Sequence, residues 1–314
     1  MGLCTRFCFC VLCRTKAVQA ITPSQVYVNG EFVESGKASV SVFDRGFLFG
    51  DSVYEVVSVL NGGIFDDDLH LRRLENSLRM LDMSMPMPKQ ELTRTILDLV
   101  RRNNLTEGVV YLQVTRGAAD RNFNFDLLAP NGVTQNVVMF CHAMPLIDAK
   151  AGQEGVHVKT FPDERWQGCH IKTTQLLAAS LAKTRAARAS CGVAWFVHPT
   201  TGMVTEGESN NVFIVKGNTV MSPSLLTNIL PGITRHIVRD LVEAQDGLTF
   251  VEESFDVATA QAADEAFVTS AGAFVTPVVS IDGQLVNTGS VGPIARKLRQ
   301  AYIDHALDSL TFAA

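Results

Sequence analysis

The sequence predicts an α+β protein, built from helices and mainly antiparallel strands. Several short segments alternate apolar and polar residues, as half-buried strands do. Other segments carry leucines at helical spacing. Hairpin signals such as Asn29-Gly30, 199–202 and Asp282-Gly283 outnumber strand-helix-strand crossovers. That balance argues against a doubly wound parallel sheet.

The first half of the chain is predicted to be one sheet with two helices. Its expected elements are a hairpin over 26–33, strands over 39–43 and 52–60, a helix from the acidic patch 66–68 through Leu81, a helix over 89–103, and strands over 109–115 and 136–141. The acidic residues suit the first helix because its N-terminal dipole favours negative charge. These elements make up a predicted smaller domain over residues 25–143.

Periodicity stops after this sheet, where proline, glycine and charged residues predict a linker over residues 144–155. A larger domain is predicted over residues 156–314. Its expected elements are a strand over 156–161, a helix over 173–190, strands over 193–197 and 211–215, a helix over 234–245, short strands near 250, 267 and 278, and a last helix ending near Leu310. The chain is therefore expected to have two domains.

Composition excludes some partners. With 27 Lys and Arg against 32 Asp and Glu, the net charge of the 314 residues is −5. Such a chain has no overall field that attracts nucleic acid or an anionic membrane. No run of 18 apolar residues exists, so a membrane-spanning helix is not expected. Clustered arginines in an acidic chain would therefore indicate a specific anion site.

The seven cysteines do not suggest a disulfide framework, and a reducing, cytoplasmic compartment is expected. Four of them fall in the first thirteen residues, in a basic leader that has no acid before Glu31. Residues 1–24 are interpreted as a disordered extension; an organelle-targeting leader is the alternative. A zinc site, a secretory signal and acylation at Gly2 each lack part of their pattern.

Three polar segments stand beside apolar strands, and none is a metal motif. Residues 230–235 open a predicted helix with Gly232 and Thr234, which suits either a phosphate or a simple helix cap. Residues 205–211 place Glu206 at the entrance of a strand. Residues 169–174 place Lys172 before a predicted helix, where an amine can serve Schiff-base chemistry. Spacing alone does not single out any of the three.

The ordered occurrence of these segments resembles the fold-type IV pyridoxal-phosphate aminotransferases, and within them the D-amino-acid branch. The resemblance extends from about Val26 to the last helix. The matching stretches are VFDRGFLFGDSVYEV (42–56), HLRRL (70–74), VYLQVTRGAADR (110–121), RWQGCHIKTTQLLAASLAK (165–183), VTEGESNNVFIV (204–215), ILPGITR (229–235) and FVTSAGAFVTPV (267–278). The resemblance implies the two-domain fold of that family, a homodimer, and pyridoxal 5′-phosphate as the cofactor.

The resemblance also implies roles for individual residues. Lys172 would carry the cofactor through an internal aldimine and later move a proton between substrate Cα and cofactor C4′. Glu206 would pair with the pyridine nitrogen. The remaining cofactor-binding residues, mainly at the phosphate, would be Arg73, Leu230, Ile233, Thr234, Ser270 and Ala271. No metal is expected.

Substrate recognition is implied for residues of the long strand and of one loop. The resemblance implies Tyr54, Arg121 and the position of Phe123 for the substrate carboxylate. Val56 and Ser58 lie on the same strand face as Tyr54 by the two-residue period and are expected to line the side-chain pocket. The sequence departs from the family pattern at two places: Phe123 stands where the D-amino-acid branch has a histidine, and Ala271 and Gly272 stand where it has threonines. From Phe123 we expect weaker or rebuilt carboxylate recognition and a shift toward apolar substrates. From Ala271 and Gly272 we expect a phosphate that is held less tightly or by water, because one hydroxyl is missing while the backbone donors remain.

The expected reaction moves the amino group of a D-amino acid such as D-alanine to a 2-oxo acid by a ping-pong mechanism. An L-branched-chain aminotransferase and an (R)-amine transaminase remain open alternatives within this fold. A lyase acting on 4-amino-4-deoxychorismate is the alternative from another reaction class. A cofactor-binding protein without turnover is disfavoured because Lys172 and Glu206 are both present.

Overall fold

A computed structural model describes residues 24–127 and 133–313. The predicted N-terminal extension lies outside this range apart from Ser24. Among the described residues, no helix is long and apolar enough to cross a membrane.

The first half of the chain forms an antiparallel sheet. Its elements are β1 (Gln25–Val28), β2 (Glu31–Glu34), α1 (Arg45–Phe49), β3 (Ser52–Leu60), β4 (Gly63–Ile64), α2 (Asp67–Met80), α3 (Lys89–Arg102), β5 (Glu107–Thr115) and β6 (Asn136–Ala143), with short 3-10 turns at Ser35–Lys37 and Phe125–Leu127. The strand order is β2-β1-β6-β5-β3-β4. The β1–β2 turn is made by Asn29 and Gly30 at φ 49° and 103°, as the hairpin prediction required.

The second half forms a larger, mixed sheet. Its elements are α4 (Lys150–Glu154), β7 (Val156–Pro162), α5 (Leu177–Arg188), β8 (Val193–Val197), β9 (Val204–Gly207), β10 (Asn211–Lys216), β11 (Thr219–Ser222), α6 (Ile233–Glu243), β12 (Thr249–Glu252), α7 (Val257–Gln261), β13 (Glu265–Ser270), β14 (Phe274–Ile281), β15 (Gln284–Leu285) and α8 (Pro293–Asp308). The order is β12-β11-β10-β13-β14-β7-β8-β9, with β15 beside β14. Three pairs are parallel, β7–β8, β7–β14 and β11–β12. The predicted α+β class is confirmed.

Helices cover the sheets through their apolar faces. Leu71, Leu74 and Leu78 of α2 and Ile96 and Val100 of α3 are buried against the first sheet. In the second half, α6 and α8 pack on the sheet around Phe213, Phe267 and Tyr302, and α7 and α5 cover other parts of it. The burial of these side chains removes apolar surface from water and is the main source of the fold's stability.

Main-chain pairing joins the two halves. The two-residue strand β4 covers only the last two residues of β3 on this edge, so β4 leaves the same edge free near the start of β3. Residues 172–174 fill that edge: the Tyr54 N–H donates to the Lys172 carbonyl (2.9 Å), and the Thr174 N–H donates to the Ser52 carbonyl (3.2 Å). The predicted lysine segment is thereby attached to the first sheet.

Two predicted elements differ from the structure. The strand expected over 39–43 is absent from the described fold: residues 39–41 have no regular structure, residues 42–43 form a turn, and Val40, Val42 and Phe43 are exposed. Alternation alone does not make a strand when no neighbour pairs with it. The helix expected from Thr173 begins at Leu177, because residues 172–174 pair with β3 instead. The predicted linker contains the short helix α4.

Candidate active site

A cavity of about 410 Å³ lies where β3, α2 and the lysine segment meet the loops of the second half. This volume falls in the range of roughly 300–1,000 Å³ that small-molecule sites occupy. Most of the residues that the sequence nominates border it: Lys172, Arg73, Glu206, Leu230, Ile233, Thr234, Ser270, Ala271, Tyr54 and Val56. Segments more than 200 residues apart in the chain therefore converge on one space.

Hydrogen bonds to both main-chain groups of Lys172, its carbonyl and its N–H, hold this residue in place. Its carbonyl accepts from Tyr54, and its N–H donates to Ser77 Oγ of α2 (3.3 Å). Its half-buried side chain sets Nζ 4.2 Å from the centre of the Tyr54 ring. The Tyr54 ring restricts the positions that Nζ can take, so a nucleophilic amine is held beside an aromatic side chain of the cavity.

Arg73 is oriented by a carboxylate that the sequence analysis did not nominate. Glu55, fully buried on β3, accepts from Arg73 Nε and Nη2, both at 2.7 Å, and lies 2.8 Å from Nδ1 of His70. Arg73 Nη1 donates to the Pro231 carbonyl (3.0 Å). Burial tends to raise the pKa of the Glu55 carboxyl, but Arg73 and His70 overcome this and hold it well below its ordinary value.

This arrangement leaves Arg73 able to bind an anion. A guanidinium has five N–H donors, of which three are used by Glu55 and Pro231. Two donors remain, one on each Nη, on a side chain that borders the cavity. Because Glu55 is bidentate, the guanidinium plane is fixed before any ligand binds.

The start of α6 borders the same cavity. Gly232 is the N-cap, and a Cβ there would lie 2.0 Å from Asn211 Oδ1, so a larger residue would have to displace the Asn211 side chain. Ile233 and Thr234 follow, and their N–H groups are among those that a helix leaves without intrahelical partners. The Thr234 hydroxyl lies 3.2 Å from the Tyr302 hydroxyl. Arg73 and this helix start together suit a phosphate dianion.

The loop after β13 closes the cavity. Ser270, Ala271 and Gly272 all border it. Ser58, which is 2% exposed, donates from Oγ to the Ala271 carbonyl (2.8 Å). The prediction that Ser58 lines the side-chain pocket is therefore corrected: although it shares a strand face with Tyr54 and Val56, the loop covers it, and it supports the loop instead.

Glu206 is held on the other side of the cavity by three donors. Its carboxylate accepts from Arg165 Nη1, from Asn211 Nδ2 (3.0 Å) and from the Leu230 N–H (3.1 Å). Burial raises the pKa of the Glu206 carboxyl, and the Arg165 guanidinium opposes that rise. Arg165 also binds Asp163 through Nη2 (2.8 Å). Two carboxylates thus share one guanidinium, and the surplus negative charge favours a cationic group in the cavity.

Two polar atoms at the cavity lack partners. Thr269 Oγ1 and Asn210 Oδ1 are buried, and no described residue forms a hydrogen bond with either atom. Both residues border the cavity. A buried polar atom without a partner costs about 1–3 kcal/mol. A ligand with its own polar groups is therefore expected to complete the site. A phosphorylated pyridine fits this arrangement, with Arg73 and α6 at one side and Glu206 at the other.

Arg121 and Phe123 do not border this cavity. Both lie in an exposed loop, where Phe123 is 77% exposed and packs edge-on against Phe49, with ring centres 5.3 Å apart. The Arg121 guanidinium lies 5.3 Å from the centres of the same two rings. Their expected contact with the substrate carboxylate is not made within one chain and stays a prediction.

The structure adds residues that sequence reasoning missed. Glu55, His70, Arg165 and Asn210 contribute to the site. One signal was present for Glu55: a single acid inside the β-rich run SVYEVVSVL needs a cationic partner if the strand is buried. Asn211 holds Glu206 in place through its side-chain amide.

Comparisons with known proteins agree with this geometry. The family described as amino-transferase class IV matches residues 52–281. The chain is 35% identical over 282 residues to the D-alanine aminotransferase of Staphylococcus haemolyticus, covering 89% of this chain and 96% of that one. It is 36% identical over 277 residues to the D-alanine aminotransferase of Bacillus licheniformis, covering 88% and 95%.

Solved structures with the same fold include branched-chain enzymes. The branched-chain amino acid aminotransferase of Thermobaculum terrenum, in its PLP form, superposes with a TM-score of 0.78 and 25% identity, covering 92% of this chain and 98% of that one. The Escherichia coli branched-chain amino acid aminotransferase has a TM-score of 0.83 at 24% identity, over 93% of this chain and all of that one. The fold, the cavity and the match over most of the sequence lead to one conclusion: this chain belongs to the class IV aminotransferases and is an enzyme that uses pyridoxal 5′-phosphate.

Proposed function

We propose that the protein is a D-amino-acid transaminase, which takes the amino group from a D-amino acid such as D-alanine and gives it to a 2-oxo acid. The observation that carries the proposal is the shared cavity of Lys172, Glu206 and Arg73 with Tyr54. Relatives named D-alanine aminotransferase, at about 35% identity over nearly nine tenths of the chain, support the D-amino-acid substrate.

The binding roles follow from charge and position. Arg73 and the N-terminus of α6 would hold the cofactor phosphate, and Glu206 would face the pyridine nitrogen. Bound pyridoxal phosphate supplies a carbonyl that exchanges amino groups and a ring that takes up the electron pair left at the substrate Cα. Glu206 favours a protonated pyridine nitrogen because it brings surplus negative charge to that side of the cavity.

Lys172 would move the proton. Its Nζ is the amine of the cavity, and beside Tyr54 it has a confined range of positions. Acting as a free amine, Lys172 Nζ would take the proton from the substrate Cα and hold it for transfer to the bound cofactor. Which face of the substrate meets Lys172 decides between D- and L-amino acids, so the position of the substrate carboxylate determines stereochemistry.

We propose a homodimer as the working form. Large apolar side chains are exposed on segments that contact each other: Val42, Phe43 and Phe47 on one side, Phe123 and Leu127 on the other. The two segments are joined by the Ala119 N–H bonding to the Phe43 carbonyl (3.3 Å). Contiguous exposed apolar surface of this kind marks a protein interface. In such a dimer, the family resemblance implies that Arg121 reaches the cavity of the partner subunit.

The proposal is tested by half-reactions without an acceptor. The cofactor-loaded protein is mixed in turn with D-alanine, L-leucine and an (R)-amine, and conversion of the bound cofactor is followed by absorbance. Conversion by D-alanine, with release of pyruvate, is the expected result. Conversion by L-leucine alone would favour the branched-chain activity that the structural neighbours carry in their names.

Two further results would contradict the proposal in other ways. Pyruvate released from 4-amino-4-deoxychorismate, with no acceptor needed and no reaction with any amino acid, would indicate the lyase. A monomeric mass at micromolar concentration, together with full D-alanine turnover, would contradict the homodimer. A Phe47→Glu variant should weaken association, because it places a charge in the proposed interface.

A further inference from the structure

Arg299 of α8 is a buried arginine whose partners are main-chain carbonyls. It is 6% exposed, and no described carboxylate lies within ion-pair distance of it. Its Nη1 donates to the carbonyls of Ala273 (3.0 Å) and Val275 (2.8 Å). Its Nη2 donates to those of Leu146 (2.5 Å) and Ile147 (3.0 Å). One guanidinium thus joins two separate stretches of backbone.

Those two stretches have different places in the fold. Leu146 and Ile147 belong to the connection between the sheets, just after Met144, which borders the cavity. Ala273 ends the loop that carries Ser270 and Ala271 and itself borders the cavity. Arg299 therefore links the inter-sheet connection to the loop expected to face the cofactor phosphate.

A carboxylate from the first sheet holds the same connection from its other side. Glu107 Oε1, at the start of β5, accepts from the N–H groups of Leu146 (2.7 Å) and Ile147 (2.8 Å). The N–H groups of these two residues bind an acid of the first half, and their carbonyls bind an arginine of the second half. Charge-assisted bonds of this type are stronger than neutral ones.

The helix α4 also packs tightly against the Arg299 guanidinium. A Cβ on Gly152 of α4 would lie 2.2 Å from Arg299 Cζ, so α4 packs its backbone directly on the guanidinium. Lysine cannot replace this arrangement, since a single ammonium has three donors and four carbonyls are bound. The site is specific for arginine.

We propose that Arg299 and Glu107 form a clamp that sets the position of the loop 270–273 for the cofactor phosphate. Arg299 is a positioning residue: it touches neither the cofactor nor the substrate and acts through Ala273. The loop has the Ser270 hydroxyl but no hydroxyl at Ala271 or Gly272. At those two positions phosphate binding depends on main-chain groups, and therefore on how firmly the backbone is held.

The clamp rests on the proposed cofactor site and predicts a phosphate-specific effect. The test compares the affinities of cofactor-free protein for pyridoxal phosphate and for pyridoxal, which lacks the phosphate, in Arg299→Lys, Arg299→Met and Glu107→Gln. We expect pyridoxal phosphate affinity to fall about tenfold, the equivalent of one charge-assisted hydrogen bond. Pyridoxal affinity should change less than about threefold.

Arg296→Met is the matched control, because Arg296 is exposed on the same helix and its contact is the Val291 carbonyl at 3.5 Å. Its two affinities should equal those of the parent. Circular dichroism establishes which variants are folded. If Arg299→Met does not fold, the test uses the affinities of Arg299→Lys and Glu107→Gln.

Equal losses for both compounds, or no loss for either, would overturn the clamp and leave the transaminase proposal intact. A parent protein that binds neither compound would overturn both. Because the measurement uses no amino acid, a failed reaction with D-alanine would contradict the proposed function without changing the result for the clamp.

Discussion

Replacing Glu55 by glutamine tests whether this buried carboxylate organises the anion side of the cavity. Glu55 accepts three hydrogen bonds, two from Arg73 at 2.7 Å and one at His70 Nδ1 at 2.8 Å. Glutamine offers one oxygen, and its NH₂ group would face a donor of Arg73. Arg73, only 9% exposed, would lose its counter-charge.

The expected cost follows from that geometry. Removing one partner of a buried ion pair costs about 3–5 kcal/mol, because the other charge stays buried and unpaired. Arg73 keeps its bond to the Pro231 carbonyl, so we expect about 3 kcal/mol. This is a large share of the roughly 5–15 kcal/mol by which proteins of this kind are stable. Pyridoxal phosphate should also bind more weakly, since the Arg73 plane is no longer fixed.

The pH dependence has a definite sign. The pKa of Glu55 in the folded protein lies well below its ordinary value of 4.5. Its contribution to stability is therefore fully present above pH 4.5 and is lost as the pH falls toward the lowered pKa. The difference between parent and Glu55→Gln should be largest at about pH 7 and should shrink in acid.

Urea unfolding of the cofactor-free proteins at about pH 7 and about pH 4 measures both effects. Asp68→Asn is the control on the same helix as Arg73, since Asp68 and Arg72 form an exposed ion pair; it should cost less than about 1 kcal/mol. If Glu55→Gln is as stable as the parent at neutral pH, the reasoning about the buried pair is refuted.

Three other substitutions, at Lys172, Phe123 and His305, test amino transfer, substrate recognition and the pH dependence of stability. Lys172→Ala should abolish amino transfer. Lys216→Ala, a control at an exposed lysine, should retain it. Amino transfer by Lys172→Ala above the uncatalysed rate would contradict the role of Lys172. Phe123→His should raise kcat/KM for dicarboxylic or polar D-amino acids, and unchanged values would remove Phe123 from substrate recognition. The hydrogen bond from His305 to Asp66 raises the His305 pKa. The stability that this bond contributes is therefore present below about pH 6.5 and is lost as the pH rises through the raised pKa. The unfolding free energy of His305→Gln should change less with pH over that window than that of the parent, and an equal slope would contradict the assignment.

Sequence reasoning located the cavity because its residues occur in contiguous, ordered segments. Lys172, Glu206, Ile233 and Thr234 each lie in such a segment, and all border the cavity. The hairpin around Asn29-Gly30 and the two leucine-rich helices were predicted for local reasons, turn chemistry and periodicity, that the tertiary structure does not override.

Other features depend on contacts that no local pattern contains. Ser58 has the right strand period to reach the cavity, but a loop from the far half covers it. Arg299 appears in sequence as an ordinary helix arginine, and its four carbonyl partners come from two distant stretches. The segment 39–43 alternates but bonds to a neighbouring segment only at its last residue, Phe43, among the described residues, and its exposed apolar side chains suit a protein interface rather than a strand.

We propose that Lys172, Glu206 and Arg73 form the site of a D-amino-acid transaminase. The most direct measurement is a single-turnover reaction of the cofactor-loaded protein with D-alanine and, separately, with L-alanine. Loss of the bound pyridoxal phosphate absorbance with D-alanine, with one equivalent of pyruvate per site and no change with L-alanine, is the result we predict. Reaction with L-alanine and not with D-alanine would contradict the claim.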